Sequence, residues 1–140
     1  ALELARQLPS TARIRDPLLA QLLSIPGARL SGPPPGPQRL PHHISLLVSG
    51  PDGRPLSGRW LVGAMARQGF AISSGSACSS SGSAASPVLL AMGCSEAEAS
   101  SGVRISLGTW HTPADGMALA AALRRTFTSV PACGSPPVPR

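Results

Sequence analysis

Val103, Ile105 and Leu107 alternate with Arg104 and Ser106, and this alternation constrains the fold more than any other feature. A period of two marks a strand with one apolar and one polar face. Such a strand needs neighbours at its edges and helices over its apolar side. The chain supplies both. His43 to Val48 reads as a second strand rich in Ile, Leu and Val, closed by the turn Pro51-Asp-Gly-Arg54. Ala28–Leu30 and Phe70-Ala-Ile-Ser73 are shorter candidates.

Leu2, Leu4, Ala5 and Leu8 recur at helical spacing, as do Leu18, Leu19, Leu22 and Leu23, with Pro26-Gly27 as the stop. Trp60, Leu61, Ala64, Met65 and Gln68 form another helical pattern ending at Gly69. Pro87 to Met92 starts a helix that Gly93 ends, and Ser95-Glu-Ala-Glu98 is a capping-box sequence. Thr112-Pro-Ala-Asp115 caps a last helix running to about Thr128. The fold class is therefore α+β, a small mostly antiparallel sheet with helices packed on one face. The 140 residues make one domain over residues 1–130, followed by a Pro-rich tail, residues 131–140, expected to be disordered. Gly32-Pro-Pro-Pro-Gly-Pro37 is a stiff loop with no core value.

Composition narrows the chemistry. All twelve basic residues are arginine, so the chain has no lysine. The net charge of +6 could suit nucleic acid, but the arginines are scattered and few aromatics stand among them, so no nucleic-acid partner is expected. No apolar run is long enough to span a membrane, and no membrane partner is expected. Ala1-Leu-Glu-Leu lacks the pattern of a signal peptide. The chain opens inside an apparent helix without a methionine, as a piece of a longer protein would. Three cysteines, 78, 94 and 133, have no paired spacing. Free thiols point to a reducing, cytoplasmic setting.

Cys78 is the first chemical candidate. It lies in Ala71-Ile-Ser-Ser-Gly-Ser-Ala-Cys78-Ser-Ser-Ser-Gly-Ser83, among small residues that cannot bury its sulfur. Its reactive form is the thiolate, and no lysine or histidine adjoins it in sequence to favour that form. The plain alternative is an exposed linker cysteine. Arg104 is the second candidate, because a guanidinium fixed on the polar face of a strand fits a carboxylate bidentately. Its plain alternative is a surface salt bridge. His42 and His43 are adjacent and cannot place both rings on one strand face, so no metal site is expected there. His111 reads as solvated, Cys94 as packing or chance, and Cys133 as part of the loose tail. The serine-glycine run is not a P-loop, which needs a lysine.

Taken together, Ser73-Ser-Gly-Ser-Ala-Cys78-Ser-Ser, Val88-Leu-Leu-Ala-Met-Gly93 and Val103-Arg-Ile-Ser-Leu-Gly108 resemble the C-terminal part of a cysteine desulfurase. The subgroup is the NifS/IscS-like one, within the class V aminotransferases. Leu22-Leu-Ser-Ile-Pro-Gly27 and Leu40-Pro-His-His-Ile-Ser-Leu-Leu-Val48 agree in order, and the resemblance spans roughly residues 12 to 128. It implies the small domain of an aspartate-aminotransferase-type fold, in an enzyme that uses pyridoxal phosphate to convert L-cysteine to L-alanine. By the same resemblance, Cys78 is the nucleophile that receives sulfur as a persulfide, and Arg104 holds the substrate carboxylate. Implied partners are L-cysteine, a sulfur-acceptor protein such as an iron-sulfur scaffold in iron-sulfur cluster assembly, and a second copy in a homodimer.

The departures are specific. Ser83-Ala-Ala-Ser-Pro87 replaces a common Leu-Glu-Pro-Ser-His run, and His42-His43 stands where an asparagine is common. Pyridoxal phosphate is anchored by a lysine, and this chain has none, so the large cofactor-binding domain is absent from it and the chain alone is expected to be inactive. A stand-alone, non-catalytic sulfur carrier or interaction module presenting Cys78 is the alternative. A basic binding domain with no sulfur role is a third reading. Because small residues surround it, Cys78 is expected to react with a thiol reagent much faster than Cys94. Mass-spectrometric timing of alkylation measures this, and equal rates would mean that the segment around Cys78 is packed.

Overall fold

The computed structural model describes residues 2–75 and 85–130, with side chains described from residue 11 onward. The Pro-rich tail, Cys78 and Cys133 lie outside the described residues. Helix α1 covers Leu2–Leu23, and strands β1 and β2 cover Ala28–Leu30 and His43–Val48. Helix α2 covers Gly58–Ala66 and strand β3 only Ser73–Ser74. Two short helices follow, α3 at Pro87–Ala91 and α4 at Glu96–Ser100. Strand β4, Gly102–Ser106, and helix α5, Pro113–Thr128, complete the order.

The four strands form one antiparallel sheet in the order β1-β2-β4-β3. At its centre Ile44 pairs with Ile105, Ser45 with Arg104 and Leu46 with Val103. This register puts Ile44, Leu46, Val48, Val103 and Ile105 on one face. They join Leu19 and Leu22 of α1, Leu61 and Met65 of α2, and Leu123 and Phe127 of α5 in the main core. The α+β expectation therefore holds, with the three longer helices on one face. The other face carries a second, smaller cluster at one end, where Leu47 meets Ala85, Leu89 and Ala99 around α3 and α4.

Helix boundaries follow the signals in the sequence. Ser95 Oγ accepts from Glu98 N–H while the Glu98 carboxylate accepts from Ser95 N–H, and Thr112 and Asp115 do the same at α5. Accepting those backbone and side-chain hydrogen bonds holds both carboxyls below their usual range. Two local readings shift. The two apolar repeats before Pro26 belong to one continuous α1, because Leu18, Leu19 and Leu22 bury themselves while Pro17 faces solvent. The strand expected from Phe70 begins only at Ser73; Phe70 and Ile72 instead pack against the main core.

Gly27 sets the entry of α1 into the sheet. Its φ is +88°, and a Cβ there would lie 2.2 Å from the Ser49 carbonyl oxygen. Gly27 O in turn accepts from Ser49 N–H at 2.7 Å. Gly27→Ala combines a left-handed backbone penalty with a clash against fixed backbone, so about 2–4 kcal/mol of stability should be lost in urea unfolding. A loss under about 0.5 kcal/mol, the usual range for surface changes, would mean that this turn relaxes freely.

Candidate functional site

Polar residues of β2 and β4 point away from the core. Ser45, Arg104 and Ser73 stand in one cross-sheet row, since Arg104 is the register partner of both serines. His43 lies two residues along β2 from Ser45, on the same face. Together with the Pro-rich loop and α3, these residues enclose a cleft of about 380 Å³. Its floor holds His43, Ser45 and Arg104, its walls include Leu40, Val88 and Met92, and Arg39 enters from the loop. Leu40, Val88 and Met92 are all exposed.

Arg104 is exposed and has no ion pair among the described residues, so the salt-bridge alternative finds no partner there. Arg39 is buried and donates from Nε to Pro33 O at 2.6 Å and from Nη2 to Ser31 O at 2.5 Å. It thereby ties both ends of the Gly32–Pro37 turn to the sheet. Burial and the neighbouring Arg15 lower its pKa from the ordinary arginine value. His43 is pushed below the usual imidazole range, first by burial, then by the charges of Arg39 and Arg104, with a smaller contribution from His42. At neutral pH it is an uncharged imidazole facing the cleft.

The cleft adjoins both ends of the segment at 76–84. Gly75 N–H donates to Gly102 O at 3.0 Å, and Ser86 N–H donates to Ala99 O at 3.3 Å. A Cβ on Gly75 would lie 3.0 Å from the Ser86 Cβ. Gly75 and Ser86 both line the cleft. Of the two candidates named from sequence, Arg104 is on the cleft floor, while Cys78 is outside the described residues.

The remaining candidates separate. His42 ends the turn before β2, where its carbonyl accepts from Leu107 N–H at 2.8 Å, and only His43 joins the cleft. His111 is half-buried and not simply solvated: its Nδ1 accepts from Gly108 N–H at 2.7 Å and its ring lies 5.4 Å from that of Trp110. Cys94 is half-buried against the smaller cluster, which fits packing. Arg39 and Ser45 were not singled out from sequence. Ser45 was legible, because the two-residue period of β2 puts it beside His43. Arg39 gave no signal, since only folding of the Pro-rich turn buries it.

No family model matches the chain. Its fold is that of NifS-like proteins. The NifS-like protein from Rickettsia africae superposes with a TM-score of 0.68 at 22% identity, covering 84% of this chain and 28% of that one. Another NifS-like protein gives 0.67 at 19% identity, covering 86% and 28%. The class is thus a small α+β domain of the kind found within such proteins. In sequence, the chain is 34% identical over 113 residues to the cysteine desulfurase IscS of Methylococcus capsulatus (strain ATCC 33009 / NCIMB 11132 / Bath). That match covers 81% of this chain and 26% of the relative, so the chain spans about a quarter of its length. In sequence the chain is similar to a cysteine desulfurase IscS, and in fold to NifS-like proteins, over one small-domain-sized portion of each.

The charge arrangement around His43 has a direct test. Its ring should titrate below about 6.5, the ordinary imidazole value, when followed by NMR. Arg104→Gln should move the midpoint upward by removing one of the charges that oppose protonation. An ordinary midpoint in the parent chain, or no movement in the variant, would mean that the guanidinium lies farther from the ring.

Proposed function

We propose that this chain is the small domain, residues 1–130, of a pyridoxal-phosphate-dependent cysteine desulfurase. The complete enzyme takes the sulfur of L-cysteine onto Cys78 as a persulfide and releases L-alanine. Atoms balance without an oxidant, since a thiol and cysteine become a persulfide and alanine. The observation that carries this reading is that Arg104, without an ion pair among the described residues, shares one cleft with Gly75 and Ser86, which flank the Cys78 segment. Cys78 is three residues beyond Gly75, and three residues of chain reach at most about 11 Å.

Arg104 suits the substrate carboxylate, because its fork can donate to both oxygens and orient the amino acid. The apolar wall of Leu40, Val88 and Met92 suits exclusion of water beside it. The chain does not fit pyridoxal phosphate by itself. With no lysine, it cannot hold the cofactor covalently, so the anchoring residue belongs to a large domain outside this sequence, and the chain alone is inactive. In the complete, dimeric cytoplasmic enzyme, thiol exchange passes the sulfur to an acceptor such as an iron-sulfur scaffold. A sulfur carrier would need Cys78 but no carboxylate fork, and the unpaired Arg104 favours the enzyme.

In the complete enzyme, Arg104→Lys should raise KM for cysteine about tenfold or more, the worth of a lost charge-assisted hydrogen bond. Cys78→Ser should abolish sulfur transfer to the acceptor. An unchanged KM would remove the role given to Arg104, and undiminished transfer would remove that of Cys78.

A further inference from the structure

The cleft carries more positive charge than one carboxylate can neutralise. Arg39 and Arg104 both line it with His43, and among the described residues no acidic one does. Arg39 is only 7% exposed, yet its recorded partners are two backbone carbonyls. Carbonyls satisfy donors but leave the charge of a buried guanidinium unbalanced, which is costly. The acids that pair with arginine are occupied elsewhere: Asp16 lies 2.6 Å from Arg15, Glu98 2.6 Å from Arg29, and Asp52 3.8 Å from Arg54. Asp115 caps α5 and Glu96 sits in the first turn of α4. Nη1 of Arg39 makes no hydrogen bond to the described residues.

His43 lines the same cleft as the two charges. It is one diagonal step from Arg104 across the β2–β4 ladder, a same-face spacing of about 7–8 Å. We propose that Arg39 and His43 form a second acid-binding position beside Arg104, so that the cleft prefers a compact dianion whose two acidic groups are a few bonds apart. Arg104 takes one group; Arg39 and a newly protonated His43 take the other. The groups facing His43 are Arg39, Arg104 and His42, all of which oppose its protonation until an anion arrives. Leu40, Val88 and Met92 receive the short carbon linker. This goes beyond the desulfurase reading, which uses Arg104 alone, and does not depend on it.

The test titrates the full chain at low salt and pH 7 with succinate, and with butyrate, which has the same carbon count and one acid. Calorimetry gives the affinities, and NMR follows the His43 ring, assigned with His43→Gln. Succinate should bind at least about tenfold more tightly, as one further charge-assisted hydrogen bond would give, and the His43 signal should move toward its protonated position. Arg104→Gln should weaken both ligands, whereas Arg39→Gln and His43→Gln should each reduce the preference for succinate. Arg39 is buried, so His43→Gln, checked by circular dichroism, keeps the test open if Arg39→Gln does not fold. Equal affinities, no binding, or a preference surviving the His43 change would overturn the proposal. Inorganic phosphate binding as tightly as succinate would also overturn it, by indicating a single oxyanion pocket. An unchanged cysteine KM in Arg104→Lys, with the succinate preference intact, would sink only the desulfurase role.

Discussion

The antiparallel ladder between β2 and β4 is the constraint on which the rest depends. Its register, Ile44 with Ile105 and Leu46 with Val103, places four β-branched or aliphatic side chains over one core. Slipping β4 by one residue would turn Val103 and Ile105 to the opposite face and bring Arg104 into the apolar interior. Burial of the core face therefore fixes the direction of Arg104 on the other. Cleft and core are two faces of one decision.

The second face is finished only in part. Helices α3 and α4 cover Leu47 and Gly102 at one end, and the Pro-rich turn closes the other through Arg39. Between them the polar row is left open. The main core seals one side of the sheet, and the smaller cluster anchors Ser86, which meets Gly75 at the cleft edge. The segment bearing Cys78 thus leaves and returns at neighbouring points.

Positive charge gathers on this face. Among the described residues Arg15, Arg29 and Arg54 meet acids, and other acids cap helices, as at Thr112. In the cleft, Arg39 and Arg104 meet no acid among the described residues, and burial and their charges lower the pKa of the neighbouring His43.

The sequence by itself determined the local elements. The alternation at Val103–Leu107, the capping pairs Ser95/Glu98 and Thr112/Asp115, and the glycine stops are encoded within a few residues of one another, so they could be read without the fold. It also determined the absence of a lysine and the outward direction of Arg104. Tertiary structure alone decided that Arg39, His43 and Arg104 share one cleft and that α3 and α4 close the second face. It also turned His111 into a partner of the Gly108 backbone. The cleft and the closing of the second face join residues separated by long stretches of chain, and they exist only once the apolar face of the sheet is buried and the strand order β1-β2-β4-β3 is set.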